Sequence, residues 1–389
     1  MATVKKQNST VGDGDPLRRL LAMDGGGIYG LFSVLMLKAL CAENSRFLKK
    51  GDVRVFAGTS AGALSALSLA AEEDPRSIVQ SGQLEELFED PRLYGIKPGL
   101  KRMMGTLGMT AWTGARDSES LMREKFGEMT LGDLPNKVVV CTFDLFGDPD
   151  MEGQQKWRPR MYHNLKGQKQ SVLDMPVWKL AFGATAPVGW RSVRHGITDG
   201  GLFADNPILP SIATLLQAEK WHAREEDGEH LLCETLPEDY ACLANFRLLS
   251  LGVGNKIPHY QWRNFDLGYL SFNLLPTNMK DKFYWPPLWH LMLEPGVEGA
   301  TEQAYAFLGE SHFHRLDPGV LGYPIPPVLG AMYLCKYNSW RDFIAKNIRK
   351  GMNDKLTRLE IQQTLDWLSV QWHPTPEALD APPKTVAAE

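Results

Sequence analysis

No segment of this 389-residue chain is long and apolar enough to span a membrane as a helix. The uncharged stretch from Val55 to Ala71 is too short, and too rich in Gly, Ser and Thr. Paired cysteines are also missing. The five present (Cys41, Cys141, Cys233, Cys242, Cys335) are odd in number, widely spaced and never in a CxxC. That excludes a zinc ribbon or a disulfide framework and predicts buried, reduced thiols. Positive charge is not in excess: 42 Lys and Arg stand against 46 Asp and Glu, a net charge of −4. A surface built to grip a nucleic-acid polymer is therefore not expected. The first residues, MATVKKQNSTVGDGDP, lack the apolar core of a signal peptide. Residue 2 is not Gly and the end, KTVAAE, has no lipidation box. These absences predict a cytoplasmic protein whose contact with any membrane is peripheral.

What is present is an ordinary globular composition, 43% apolar and 23% charged. The length suits one large domain or two ordinary ones. Residues 1–15 are polar and Gly-rich and read as disordered. RRLLAM (18–23), VRVFAG (53–58), KVVVCTFDL (137–145) and NFRLLSLGVG (245–254) read as apolar strands. Helical segments are expected at 28–42, at 61–71, from Pro75, at 176–184 and at 207–222. From about residue 327 the chain reads as helical, and from His373 as a loose, Pro-rich tail. Strands alternating with helices predict an α/β sheet covered on both faces.

Two motifs carry chemistry. The second strand ends in GTSAG (58–62), a G-x-S-x-G between an apolar strand and an apolar helix. Such an elbow lifts the Ser60 hydroxyl above the sheet edge, while Gly58 and Gly62 let the flanking backbone pass closely. The helix that follows points its positive end at Ser60. The bare pattern is also compatible with a simple Gly-Ser turn; its position between strand and helix is what favours the elbow. The second motif is Asp24-Gly25-Gly26-Gly27-Ile28-Tyr29-Gly30, after the first strand. It satisfies the dinucleotide fingerprint, but no acidic residue ends the second strand to hold a ribose. Gly30 is followed by Leu31, so a phosphate-binding loop closed by G-K-[ST] also fails. Two readings remain, a tight packing turn or glycine amides that face a transient oxyanion formed when Ser60 attacks an ester, and the GTSAG elbow favours the second.

Ser60 needs a base. Of nine histidines, His290, His312 and His314 fit the chain order of an α/β-hydrolase triad. The rival is Asp199, in ITDGGLFADNP (197–207), placed to project from a strand end. Burial would raise its pKa and make it a better base, although the segment taken alone favours an ordinary Asp-Gly turn.

Taken together, Asp24-Gly25-Gly26-Gly27-x-x-Gly30, Gly58-x-Ser60-x-Gly62 and Asp199-Gly200-Gly201 resemble the patatin-like phospholipase family in order and spacing. ATAP (184–187), SLGVG (250–254) and FHRLDP (313–318) are similar to its supporting blocks, and the resemblance covers about residues 17–320. It implies a three-layer patatin-like α/β fold, a central mostly parallel sheet flanked by helices, with helical cap or lid insertions. The expected organisation is a disordered start (1–15), the patatin-like domain (16–325), a helical extension packed on it (326–372) and a disordered tail (373–389). The family implies Ser60 as nucleophile and Asp199 as base, a dyad without catalytic histidine. The amides of Gly25, Gly26 and Gly27 would form the oxyanion hole, with no metal or other cofactor. The reaction implied is acyl-ester hydrolysis of membrane lipids through an acyl-Ser60 intermediate. Asp205-Asn206-Pro207 departs from the family's Asn-Asn-Pro, which bears on a local turn.

Some bacterial members of the family are anti-phage effectors switched on by a cyclic nucleotide. A cyclic dinucleotide activator, with Lys97, Lys101, Arg102 or Arg116 at its site, is therefore a further expectation, as is a homodimer. The stretch 91–116 mixes Lys97, Lys101 and Arg102 with Met103, Met104, Met109 and Trp112, which suits a lid or an interfacial patch. The aromatic run 259–293 suits an acyl groove. Core or cap packing is the alternative for both. A non-enzymatic binding module with a relict site is disfavoured because nucleophile, acid and glycines are all intact.

Overall fold

The structure is a computed structural model that describes residues 18–95, 100–101, 104, 109–111, 113–146, 156–227, 246–254, 287–321 and 337–374. The expected disordered start at 1–15, Lys97, Arg102, Met103, Trp112, most of the aromatic run (to residue 286) and the tail beyond residue 374 lie outside the described residues.

Arg18–Met23 (β1) runs into a 3-10 turn at Gly27–Tyr29 and then the helix Gly30–Glu43 (α1). Val55–Thr59 (β2) leads directly to Ala61–Ala70 (α2), followed by Pro75–Gln80 (α3), Gln83–Glu89 (α4) and Arg116–Phe126 (α5). Lys137–Asp144 (β3) and Arg158–His163 (β4) precede Gln170–Leu173 (α6), Val177–Ala184 (α7) and the three-residue strand Ile197–Asp199 (β5). Then come Ile208–Asp227 (α8), Phe246–Leu251 (β6), Pro287–Leu308 (α9), Phe313–Leu316 (β7), Tyr337–Met352 (α10) and Lys355–Trp367 (α11). Pro75 opens α3 at a first-turn position, where its missing N–H costs nothing.

The strands form one seven-stranded sheet in the order β4-β3-β2-β1-β6-β7, with β5 also paired to β3. β1 pairs parallel with β2 and with β6, β2 pairs parallel with β3, and β6 with β7. β4 and β5 are antiparallel to β3. The central strands read as unbroken apolar runs because both of their faces are covered.

Strand geometry then sorts these side chains into two layers, since successive residues point to opposite faces. Leu21, Met23, Phe56, Val138, Val140, Leu249 and Leu251 join one core, with α1, α2, α4 and α7. Leu20, Ala22, Val55, Ala57, Val139 and Leu248 join a second core, with Ile208 and Leu215 of α8 and Ala304 of α9. This is the α/β sheet covered on both faces that the strand–helix alternation predicts, in the three-layer, mostly parallel form that the resemblance implies.

β4 is not legible as a strand in the sequence. Its residues, RPRMYH, are largely half-exposed and include Pro159, which a strand tolerates at a sheet edge. A second difference lies at the C-terminal end. His373, expected to begin a loose tail, is buried and its Nε2 lies 2.7 Å from Asp52 Oδ1. Trp372 is fully buried, meets Phe47 edge-on at 6.1 Å, and its carbonyl accepts a 2.6 Å hydrogen bond from Arg19 Nε at the start of β1. Ile344 and Ile348 of α10 belong to the first core.

Candidate active site

The site is built where β2 stops. Ser60 adopts φ 53° and ψ −121°, a left-handed conformation that a non-glycine residue holds only when its surroundings impose it. Here the imposition is a strand turning directly into α2, with Ser60 as the residue between. The two flanking glycines are required by close approach. A Cβ on Gly58 would lie 2.2 Å from the Gly62 carbonyl oxygen, and one on Gly62 would lie 2.0 Å from that of Met23. Backbone cannot move aside as a flexible side chain can, so the turn exists only without those carbons.

β5 explains why Asp199 meets Ser60. One edge of β3 is occupied by β4, with Thr142 opposite Arg160. The other edge pairs with β2 only as far as Thr59 opposite Cys141. β5 takes over that edge at the next residue, with Asp199 opposite Thr142. The short strand thus fills the slot that β2 vacates, and Asp199 sits in line with Ser60. The Ser60 hydroxyl donates to Asp199 Oδ2 at 2.5 Å. Asp199 Oδ1 accepts the Gly201 amide at 2.9 Å. The ATAP segment holds the strand from behind, where the Ala186 carbonyl accepts from the Asp199 amide and from the Thr198 hydroxyl.

Both groups are removed from water, Ser60 being 8% and Asp199 4% exposed. Burial raises the Asp199 pKa to about 6, against the smaller opposing pull of the Ser60 hydrogen bond, the Gly201 amide and the Arg191 charge. The carboxylate is therefore ionised at neutral pH, yet far more basic than a solvated aspartate. That combination suits a general base for a serine hydroxyl.

The glycine turn after β1 flanks this pair. A Cβ on Gly25 would lie 3.2 Å from Ser60 Cβ, and the Asp205 carboxylate already fills that space, 1.9 Å from the same point. The expectation of three donating amides is reduced here. The Gly25 N–H donates to the Asp205 carbonyl at 2.9 Å, so it anchors the turn instead. The Gly26 and Gly27 amides have no acceptor among the described residues, and Gly27 holds φ 57°. The Asp205-Asn206-Pro207 segment, expected as a local turn, supplies that anchor, and the Thr59 hydroxyl bonds the neighbouring Ala204 carbonyl at 2.7 Å.

Residues 21–212 match the family model described as Patatin-like phospholipase. These residues form a patatin-like phospholipase domain. It is thereby a hydrolase. CotR of Bacillus subtilis (strain 168) is 25% identical over 359 residues, covering 85% of this chain and 98% of that protein. Patatin-like protein 2 of Oryza sativa subsp. indica is 27% identical over 252 residues, 61% of this chain and 60% of its own length. A cGAMP-activated phospholipase of Pseudomonas aeruginosa (strain BWHPSA011 / Pa011) is 28% identical over 220 residues, 55% of this chain and 61% of its own.

In this patatin-like domain the motif aspartate of the glycine turn does not touch the Ser60–Asp199 pair. Asp24 Oδ2 instead receives Arg315 Nη2 at 2.5 Å, and the same guanidinium reaches Asp317 at 2.6 Å and the Ser250 hydroxyl at 2.8 Å. Asp317 in turn accepts the Gly254 amide at 2.8 Å. One buried arginine on β7 thus ties the glycine turn to the turn after β6. Burial opposes its charge, and Asp24 and Asp317 outweigh that, so its pKa is raised and it stays protonated. Arg191 plays a matching part on the other side. It is buried and donates to the Thr185 hydroxyl at 2.8 Å and to the Leu93 carbonyl. Arg315 lies in a block singled out by the resemblance, without an assigned role; Arg191 lies in no motif.

Of the three histidines in the alternative, His312 and His314 have other partners. His314 lies on β7, three strands from β2, or roughly 14 Å across the sheet at normal strand spacing. It bonds the Thr364 hydroxyl at 3.0 Å and stacks on Trp367, and burial lowers its pKa to about 4. His312 Nδ1 lies 2.9 Å from the hydroxyl of its neighbour Ser311. The side chain of His290 is outside the described residues. Among the described residues no three His, Cys, Asp or Glu side chains are grouped to hold a metal ion, and no helix is long and apolar enough to cross a membrane. Cys41 and Cys141 are buried free thiols, with pKa values pushed up by burial to about 12. Cys233, Cys242 and Cys335 are outside the described residues.

Proposed function

We propose that the chain hydrolyses acyl esters of membrane phospholipids with Ser60 as nucleophile and Asp199 as the single general base. The observation that carries this reading is the 2.5 Å hydrogen bond from a strained elbow serine to a buried carboxylate with a raised pKa. Ser60 Oγ attacks the ester carbonyl carbon while its proton passes to Asp199 Oδ2. The carbonyl oxygen becomes an oxyanion and is taken by the Gly26 and Gly27 amides, assisted by the positive end of α2. Collapse breaks the ester bond, and Asp199 returns the proton to the departing alcohol. Asp199 then deprotonates a water that attacks the acyl carbon of acyl-Ser60, the bond to Ser60 Oγ breaks, Asp199 returns the proton to Ser60 Oγ and the fatty acid leaves. One carboxylate serves both half-reactions, because a base with a pKa near 6 gives back a proton as readily as it takes one.

The similarity to cGAMP-activated phospholipases supports a gated form of the same activity. In that form a cyclic dinucleotide switches on hydrolysis at the membrane surface. The test is fatty-acid release from mixed phospholipid liposomes, with Ser60→Ala alongside, each with and without a panel of cyclic dinucleotides. Release is expected to fall at least about 10³-fold in Ser60→Ala. Release that survives this substitution would overturn the mechanism. Release unaffected by any cyclic dinucleotide would remove the gated form and leave the chemistry standing.

A further inference from the structure

The two halves of the site are held by different parts of the sheet. Ser60 and Asp199 are placed by β2, β5 and the β3 edge they share. The glycine turn that carries the Gly26 and Gly27 amides leans instead on β6 and the turn after it. The Asp24 amide donates to the Leu251 carbonyl at 3.0 Å. Gly26 holds φ 150°, and a Cβ there would lie 2.8 Å from Val253 Cγ1, so its backbone rests directly on that side chain. Near the start of α1, the Ser33 hydroxyl donates to the Gly252 carbonyl at 2.7 Å.

This shelf is itself fixed by Arg315. The guanidinium spans three acceptors: Asp24 at the head of the glycine turn, Ser250 on β6 and Asp317 just after β7. Asp317 Oδ1 accepts the Gly254 amide, one residue beyond Val253, and the Gly254 carbonyl accepts the Leu321 amide at 2.7 Å. The Arg315 and Asp24 side chains are only 9% and 2% exposed, so salt screens the pair little and each charge is costly without the other. A planar fork can reach three acceptors at once, whereas a lysine ammonium keeps the charge and loses the fork. The hydrogen bonds that Ser60 and Asp199 make to side chains and to the Gly201 amide do not involve this cluster.

We propose that Arg315 is a positioning residue for the oxyanion: by joining Asp24 to the turn after β6 it sets where the Gly26 and Gly27 amides point, separately from the Ser60–Asp199 base chemistry. This rests on the acyl-transfer reading of the site and assigns the support of its second half. Oxyanion donors act only when they lie about 2.7–3.1 Å from the place where charge develops. A displacement of about 1 Å can cost a factor of roughly 10². Loss of the fork therefore slows formation of the tetrahedral intermediate and leaves the proton acceptor as it is.

The test compares the full-length parent with Arg315→Lys, Asp317→Asn and Trp372→Ala, the last removing stability at the far end of β1. Asp317, 22% exposed, is the most open member of the cluster, so Asp317→Asn keeps the test decisive if Arg315→Lys fails to fold. Hydrolysis of a soluble short-chain nitrophenyl ester gives kcat, KM and the pH profile. Hydrogen exchange is followed in segments 18–29 and 137–144. Arg315→Lys should lower kcat at least about tenfold at unchanged KM, with the acid limb still near pH 6. Exchange at Asp24 and Gly25 should quicken at least about tenfold while β3 stays protected. Asp317→Asn should show the same pattern with a fall of at least about threefold, and Trp372→Ala should keep its kcat at low temperature. Full kcat or unchanged exchange in either cluster variant, a raised KM in place of a lowered kcat, or an equal fall in Trp372→Ala would overturn the positioning role. A parent that leaves the ester intact, while Arg315→Lys still quickens exchange in the turn, would count against the dyad chemistry and leave the role of Arg315 in the turn standing.

Discussion

At the scale of single residues, Asp199 carries a conflict between stability and chemistry. Its folded pKa of about 6 stands above the ordinary value of 3.8, with burial as the main cause. Well below the ordinary value of 3.8 the carboxyl is neutral in both folded and unfolded chains, and burying it carries no charge penalty. As pH rises toward 6 the unfolded chain ionises first, so folding loses stability. Above 6 the cost is complete, on the order of 2–3 kcal/mol. Asp199→Asn is therefore expected to melt higher than the parent at pH 8, the gap narrowing sharply by pH 4, while turnover is abolished. Thermal unfolding at the two pH values checks the sign, and a lower melting point at pH 8 would refute it. The same pKa sets the pH profile: kcat/KM should fall about tenfold per unit below pH 6 and level off above it. A limb near pH 4 would mean that the carboxylate is not held as buried as the geometry shows.

At the scale of elements, the site depends on a handover between strands. β2 ends at Thr59 and β5 takes its place on β3 one residue later. Asp199 reaches Ser60 only while β5 keeps that register. Gly200 is the pin, because a Cβ there would lie 2.4 Å from the Cys141 carbonyl oxygen and 2.9 Å from the Thr142 nitrogen. Gly200→Ala should push the strand end off β3 and misplace the carboxylate. Since displacement of about 1 Å can cost a factor of roughly 10², kcat should fall at least that far. The outer strands and both cores do not pass through this contact, so far-UV circular dichroism should be unchanged. Full activity in Gly200→Ala would show that the close approach is not needed.

At the scale of the whole molecule, the C-terminal helices close the first core. Trp372 lies against Phe47 and Trp367, its ring N–H donates to Asp52 at 3.1 Å, and its carbonyl receives Arg19. The chain end is thus fastened to the first strand of the sheet, more than 350 residues earlier. Trp372→Ala should destabilise the protein by about 3–5 kcal/mol, read as a shifted denaturant midpoint. A shift under about 1 kcal/mol would show that the extension is only laid on the surface. Trp372 sits at the start of β1, whereas Ser60 follows the opposite end of the parallel strand β2, so activity at low temperature should persist.

Local pattern carried much of this. Central strands declare themselves as apolar runs because both faces are covered, and Ser60, its flanking glycines and the Asp199-Gly200-Gly201 turn stand out as short motifs with a steric reason. What those motifs leave open is partnership. Asp and His are both adequate bases by residue type, and only the pairing of β5 in the place left by β2 sets Asp199 at 2.5 Å from Ser60 while β7 holds His314 elsewhere. The use of the Gly25 amide by Asp205, and the ties from Arg315 and Arg191, likewise join positions far apart in the chain. Periodicity reports which face of an element is buried, and it reaches one or two turns. Which distant groups meet at a sheet edge is decided by strand order and register, which exist only once the chain has folded.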